Sequence, residues 1–161
     1  MLTTMMVSCP VGRLQLYAED GKLVWLRLPG RRGPNGADVA VATRDEVLVQ
    51  TAEQLVGYFA GTRRTFDLPL APPGTAFQAQ VWRALLAIPF GDTRSYGELA
   101  RALRRPSASR AVGAANGSNP IAIIVPCHRV IGSCGALTGY GGGLGMKRWL
   151  LAHEANLRGA G

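Results

Sequence analysis

Along the first third of the chain, apolar and polar residues alternate. From residue 46 onward, apolar positions recur every three or four residues, so strands are expected first and helices after. Thr3 to Val11 and Arg13 to Ala18 have strand composition, and Asp20-Gly21 supplies a hairpin turn into Leu23 to Leu28. Pro29 to Ala37, rich in Gly, Pro and Arg, reads as a surface loop. Thr43 and Glu46 have the spacing of a capping box. The helix they predict carries Val47, Leu48, Thr51, Leu55, Val56 and Phe59 inward and ends near Gly61. Thr65 to Leu70 reads as one more strand, and Pro72-Pro73-Gly74 then breaks the pattern. Two domains, 1–74 and 75–161, are expected on either side of that break.

Thr75 with Gln78 forms a second capping box, and its helix presents Phe77, Val81, Leu85 and Ile88 at helical spacing. Ser95 with Glu98 forms a third and opens a short helix with Leu99, Ala100 and Leu103 inward. Arg104 to Pro106 interrupts it, and Ser107 or a neighbour can cap another short helix through Ala115. Two short helices joined by a tight turn make a helix-turn-helix pattern, which serves a plain helical hairpin as well as a DNA reader. Ile121 to Val125 is a β-branched run expected to be a buried strand. A terminal helix over Leu144 to Asn156 presents Met146, Trp149 and Leu150 as its apolar face.

Charge changes the picture more than composition does. The 161 residues carry a net +8, but residues 1–75 hold eight Lys+Arg against seven Asp+Glu, and residues 76–161 hold ten against three. A cationic second half suits either a solvated surface or a polyanionic partner whose counterions it displaces. No apolar run approaches the roughly 20 residues of a membrane span. With no leader-like start and three cysteines that cannot all pair, reduced thiols in a cytoplasmic setting are expected.

No phosphate-loop or dinucleotide spacing occurs near Gly139 to Lys147, and no Cys-x-x-Cys pair starts a zinc site, so neither cofactor nor metal is expected. Cys127-His128 is the stronger signal, because an imidazole can take the proton that makes a thiol nucleophilic. Only Asp92, Glu98 and Glu154 supply carboxylates after residue 75. Glu98 is assigned to a helix cap, which makes Glu154 the best candidate to orient the imidazole. On spacing alone, a structural cysteine beside a core histidine fits the dipeptide better.

Pro126-Cys127-His128-Arg129-Val130, preceded by Ile121 to Val125, resembles the active-site signature of O6-alkylguanine-DNA alkyltransferases. The resemblance extends in order through Phe77-Gln78, Val81-Trp82, Ser95 to Ala100, Arg110 to Gly113, Asn119-Pro120 and Trp149 to Glu154. It implies an α+β fold: a small N-terminal α/β domain with an antiparallel, ribonuclease H-like sheet, then a mainly helical winged helix-turn-helix domain. It also implies transfer of the alkyl group irreversibly onto Cys127, with His128 as water-mediated base and Glu154 as its orienting carboxylate. Tyr96 is implied as the acid that protonates the leaving guanine, and Asn119 as a tie between recognition helix and active-site turn. Arg110 is implied as the finger that replaces a flipped base in double-stranded DNA. Ser95 and the small residues Ala111, Ala114 and Ala115 would approach the minor groove. Val130, Tyr140 and Gly141 would shape the substrate pocket. A monomer in solution is expected, with clustering on DNA left open.

Relatives with an N-terminal zinc bind it through cysteines and histidines, and this half has only Cys9. Gly139 and Gly141 replace polar residues of some relatives, and Cys134 has no assigned role. Three other classes compete: a module that flags damaged bases without repairing them, a helix-turn-helix regulator, and a cysteine hydrolase. The first lacks the acceptor cysteine, the second is expected to need further DNA-binding segments, and nothing else in the chain supports acyl chemistry.

Overall fold

The computed structural model describes residues 2–31, 33–34, 39–41, 44–132, 140 and 143–160. The chain forms two compact units, Met1–Pro73 and Gly74–Gly161. Among the described residues no helix is long and apolar enough to cross a membrane.

In the first unit, β1 (Leu2–Cys9), β2 (Gly12–Glu19), β3 (Lys22–Arg27) and β4 (Val39–Val41) form a sheet in the order β3-β2-β1-β4. The Asp20-Gly21 turn has φ of 52° and 75°, the left-handed pair a two-residue hairpin needs. β1, β2 and β3 pair antiparallel, whereas β4 lies parallel to β1 and makes the sheet mixed. Three residues are too few for an alternation to register, so β4 had no signature in the sequence. Val7, Leu14, Leu16, Ala18 and Leu26 are buried, and α1 (Glu46–Ala60) packs on the three antiparallel strands.

Three expectations need correction here. Asp45 caps α1, its Oδ1 accepting from Val47 N and Leu48 N at 3.1 and 3.3 Å. Thr43 lies outside the described residues. The buried stripe is Val47, Leu48, Thr51, Leu55 and Tyr58, while Val56 is 58% exposed. Thr65 to Leu70 is not a strand: only Leu70 bridges, to Leu23, through Leu23 N to Pro69 O and Ala71 N to Leu23 O. Pro69 has no N–H to extend the ladder, and Asp67 N donates to the Gln54 side chain instead.

The second unit contains α2 (Ala76–Leu86), β5 (Arg94–Ser95), α3 (Tyr96–Ala102), α4 (Ser109–Gly117), a 3-10 turn at Cys127–Arg129, β6 (Val130–Ile131) and α5 (Leu144–Ala160). Both predicted capping boxes are formed, at Thr75 with Gln78 and at Ser95 with Glu98. α2 packs on α3 and α4, and α3 on α4. Trp82 Nε1 donates to Ala115 O at 2.8 Å, which fixes α2 to the C-terminal part of α4. β5 pairs parallel with β6, so the start of α3 lies beside the chain that leaves Cys127.

Here too the sequence misleads in places. α4 begins after Ala108, whose methyl side chain has no acceptor to cap it, and Ala108 N closes a turn onto Arg105 O. Ile121 to Val125 is buried but turned rather than extended: Ile123 has φ 72° and Val125 N bonds back to Ile121 O. Asn119 enforces this by accepting from Ile121 N at 3.0 Å and donating to Val125 O at 2.8 Å. On α5, which continues past Asn156, Trp149 is 37% exposed and stacks on His153, while Lys147 is fully buried.

Candidate active site

Cys127 sits at the start of the 3-10 turn, where Cys127 N donates to Val125 O and Arg129 N to Pro126 O. That turn resolves a problem posed by adjacent residues in a strand, whose side chains would point to opposite faces. Cys127, His128 and Arg129 are all buried. Burial pushes the Cys127 thiol above its ordinary value of 9.0, while a hydrogen bond from Asn119 and the charge of Lys147 pull the other way. At rest Cys127 is therefore a thiol rather than a thiolate.

His128 is held from α5. His128 Nε2 lies 2.7 Å from Glu154 Oε2, with both side chains almost completely buried. An ionised carboxylate can only accept, so Nε2 carries the proton and the bare nitrogen is Nδ1. His128 Nδ1 is buried and makes no hydrogen bond. Burial lowers the imidazole below its ordinary 6.5, Glu154 opposes this, and Arg129 and Lys147 reinforce it. Burial alone would raise the Glu154 carboxyl, but His128 and Arg129 outweigh it and hold the group well below its ordinary 4.5.

Glu154 has more partners than His128. Arg129 Nε donates to Oε1 at 2.8 Å and Nη2 to Oε2 at 3.1 Å, and Gly91 N reaches Oε1 at 3.2 Å. Lys147 Nζ donates to Val130 O at 2.6 Å, and burial lowers its ammonium while Cys127 opposes that shift. Asn116 Nδ2 approaches Cys127 O at 3.4 Å from inside α4. The Tyr140 hydroxyl is buried without a partner, and burial drives it well above its ordinary 10.0.

The structure thus gathers Cys127, His128, Glu154 and Asn119, with Val130 held by Lys147. Tyr96 stands at the first position of α3, where a Cβ on Gly113 of α4 would lie 3.7 Å from its ring. Ser95 is half-buried and occupied as the cap of α3. Arg110, Ala111 and Ala114 are exposed on α4. Ala115 is not: it is 5% exposed and faces α2, so its expected place at a DNA surface is corrected. Gly141 lies outside the described residues. Sequence reasoning missed Lys147, Arg129 and Asn116. One signal was present, since Lys147, Leu150 and Glu154 share a helical face at spacings of three and four.

Among the described residues no cluster of three His, Cys, Asp or Glu could hold a metal. Residues 76–156 match the model of the 6-O-methylguanine DNA methyltransferase DNA-binding domain, and residues 2–72 that of its ribonuclease-like domain. The chain belongs to the 6-O-methylguanine DNA methyltransferase family. It is 51% identical to the methylated-DNA–protein-cysteine methyltransferase of Mycolicibacterium paratuberculosis, over 92% of this chain and 89% of that one. It is 47% identical to the Methanosarcina acetivorans protein of the same name, covering 91% and 94%. Among solved structures it resembles Mycobacterium tuberculosis O6-methylguanine methyltransferase, with TM-score 0.88, 46% identity and 97% and 94% of the chains covered. A structure of the Mycobacterium tuberculosis protein in complex with DNA superposes with TM-score 0.86 at 47% identity, covering 97% and 93%. The family's two domain types thus account for the mixed α+β architecture.

Proposed function

We propose that this chain repairs double-stranded DNA by moving the alkyl group of O6-alkylguanine onto its own Cys127. The observation that carries the reading is the buried pair His128–Glu154 at 2.7 Å, which leaves Nδ1 bare on the residue that follows the cysteine in a chain of this family. His128 takes the thiol proton at Nδ1, through a bridging water, and Glu154 stabilises the resulting imidazolium. Sulfur attacks the alkyl carbon in line, forming the S–C bond as the C–O bond breaks. Guanine departs as it gains a proton at a ring nitrogen, with Tyr96 as donor, and the proton held by His128 restores the balance. Water has no easy route to cleave a thioether, so each molecule acts once.

Access to a base inside a duplex requires flipping it out. Arg110 on exposed α4 fills the stack, and Ala111 and Ala114 permit close approach to the minor groove. Arg94, Arg101, Arg104, Arg105 and Arg110 fall within seventeen residues that hold one acid, Glu98. Binding should therefore weaken steeply with salt. Asn119 ties the active-site turn to the end of α4, and Val130 and Tyr140 line the alkyl pocket.

The test is intact-protein mass after mixing with duplex DNA containing O6-methylguanine. One methylene unit should add per molecule, on Cys127, and none in Cys127→Ala. Binding without added mass would instead identify a damage-flagging module. Arg110→Ala should slow duplex repair at least tenfold more than reaction with a free alkylated base. Equal losses on both substrates would remove the finger role.

A further inference from the structure

Arg129 makes more contacts than support of the turn requires. Its guanidinium is buried and joins its own 3-10 turn to the segment that follows α2, through Nη1 to Ile88 O at 2.7 Å, and to α5, through the two-pronged contact to Glu154. The face of Phe90 lies 5.7 Å from its central carbon. Glu154 consequently receives four donors, from His128, Gly91 and twice from Arg129. Both oxygens are engaged, so the carboxylate cannot rotate, and His128 meets one oxygen in one orientation.

We propose that Arg129 is a positioning residue for the alkyl transfer, acting through Glu154 to keep His128 neutral, with its proton on Nε2 and Nδ1 open toward Cys127. Two effects of one fork produce this. The planar guanidinium fixes the carboxylate plane, which Lys cannot do with a point charge. Its positive charge also offsets the carboxylate that would otherwise draw a second proton onto the imidazole. The groups facing His128 are Glu154 and Lys147 from α5 and Cys127 and Arg129 from its own turn, with Tyr140 also close enough to feel Cys127 and Glu154. Of these only Glu154 favours imidazolium at neutral pH, and Arg129 is the cation bonded directly to it. Without Arg129 only burial and Lys147 would oppose the pull of Glu154 on a second proton, and an imidazole that already carries it cannot take the thiol proton.

The inference rests on the alkyl-transfer reading above, and its experiment keeps the two apart. Nitrogen-15 NMR of His128 in the intact, DNA-free chain should show a neutral imidazole with Nε2 protonated at pH 7. In Arg129→Met the midpoint should rise by about one to two units. The acid limb of the single-turnover rate, which belongs to the Cys127–His128 pair, should move with it. Arg129→Lys retains the charge without the fork, so its midpoint should stay near wild type while the rate at optimum falls several-fold. A rate loss uniform across pH with an unmoved His128 midpoint would make Arg129 merely structural and overturn the proposal. So would an imidazolium, or an Nδ1-protonated ring, in the wild-type chain at pH 7, a result that needs no variant to fold. If the wild type takes up no alkyl group yet shows the neutral Nε2 form, the repair reading fails and the proton placement stands.

Discussion

Among the described residues, the buried polar side chains of the first unit are Thr4 and Thr51, each returning a hydrogen bond to a nearby carbonyl, Leu16 O and Val47 O. The second unit buries Asn116, His128, Arg129, Lys147 and Glu154. Hydroxyls satisfied by their own secondary structure cost little to bury, but charges cost several kcal/mol each before any partner is counted. A fold that needed only stability would place apolar residues at 147 and 154, as the first unit places Leu55 and Tyr58. The contrast separates a supporting unit from one organised around a reaction, where perturbed groups cluster.

The sharpest way to break that contrast is to strip one partner from each unit. Glu154→Ala leaves Arg129 and His128 without their shared anion and should cost about 3–5 kcal/mol of stability. Alkyl uptake should fall by more than about 100-fold. Leu55→Ala should cost a similar 2–5 kcal/mol through its cavity. Its alkyl uptake should be unchanged at temperatures where it remains folded. Urea unfolding and intact mass measured on both variants decide the point. Comparable loss of uptake in the two would mean that the first unit also shapes the reaction.

Legibility in the sequence follows the same division. Local signals were read correctly: the Asp20-Gly21 turn and the capping boxes at Thr75 and Ser95 act within four residues. Signals that depend on distant partners were not. Ile121 to Val125 has the composition of a strand, yet Asn119 bends it into turns. Lys147 looks like a surface residue until Val130 O appears opposite its ammonium, and Trp149 looks like core until His153 stacks on its exposed ring. Cys127 and His128 are singled out through the resemblance of their motif and Glu154 because only three carboxylates follow residue 75, and the structure brings His128 and Glu154 together. Arg129 has no signal of its own in the sequence beyond its place in the Pro126–Val130 motif, because its partners Glu154 and Ile88 lie 25 and 41 residues away.

Acid and alkali should both destabilise the second unit, through different groups. His128 and Glu154 are both held below their ordinary values of 6.5 and 4.5, so the unfolded chain takes protons that the folded one refuses. Stability should therefore decline as pH falls through about 6.5 and more steeply below 4.5. Cys127 is held above 9.0, so the unfolded chain loses a proton the folded one keeps, and stability should decline above that value. Cys9 in the first unit is raised by its own partial burial and contributes in the same sense. Cys127→Ala should flatten only part of the alkaline decline in urea midpoints. An identical alkaline slope in the variant would show that the buried thiol does not resist ionisation.

The smallest expected effect sharpens the supporting role of the first unit. Asp45 caps α1 with Oδ1, and its Oδ2 accepts from Thr3 Oγ1 of β1 at 2.8 Å, so one carboxylate both starts the helix and fastens it to the sheet. Asp45→Ala should cost about 1–2 kcal/mol, the upper part of the range for a lost cap. Asp45→Asn keeps one oxygen for the cap and turns an Nδ2 donor toward Thr3 Oγ1, whose hydroxyl still has Ala18 O to donate to, so it should recover most of that loss. Neither change should alter the rate of alkyl uptake at 25 °C, because the carboxylate contacts only elements of the first unit. The check is single-turnover uptake beside thermal unfolding for the two variants. A slowed reaction in Asp45→Ala, with the protein still folded, would show that α1 holds something the second unit needs.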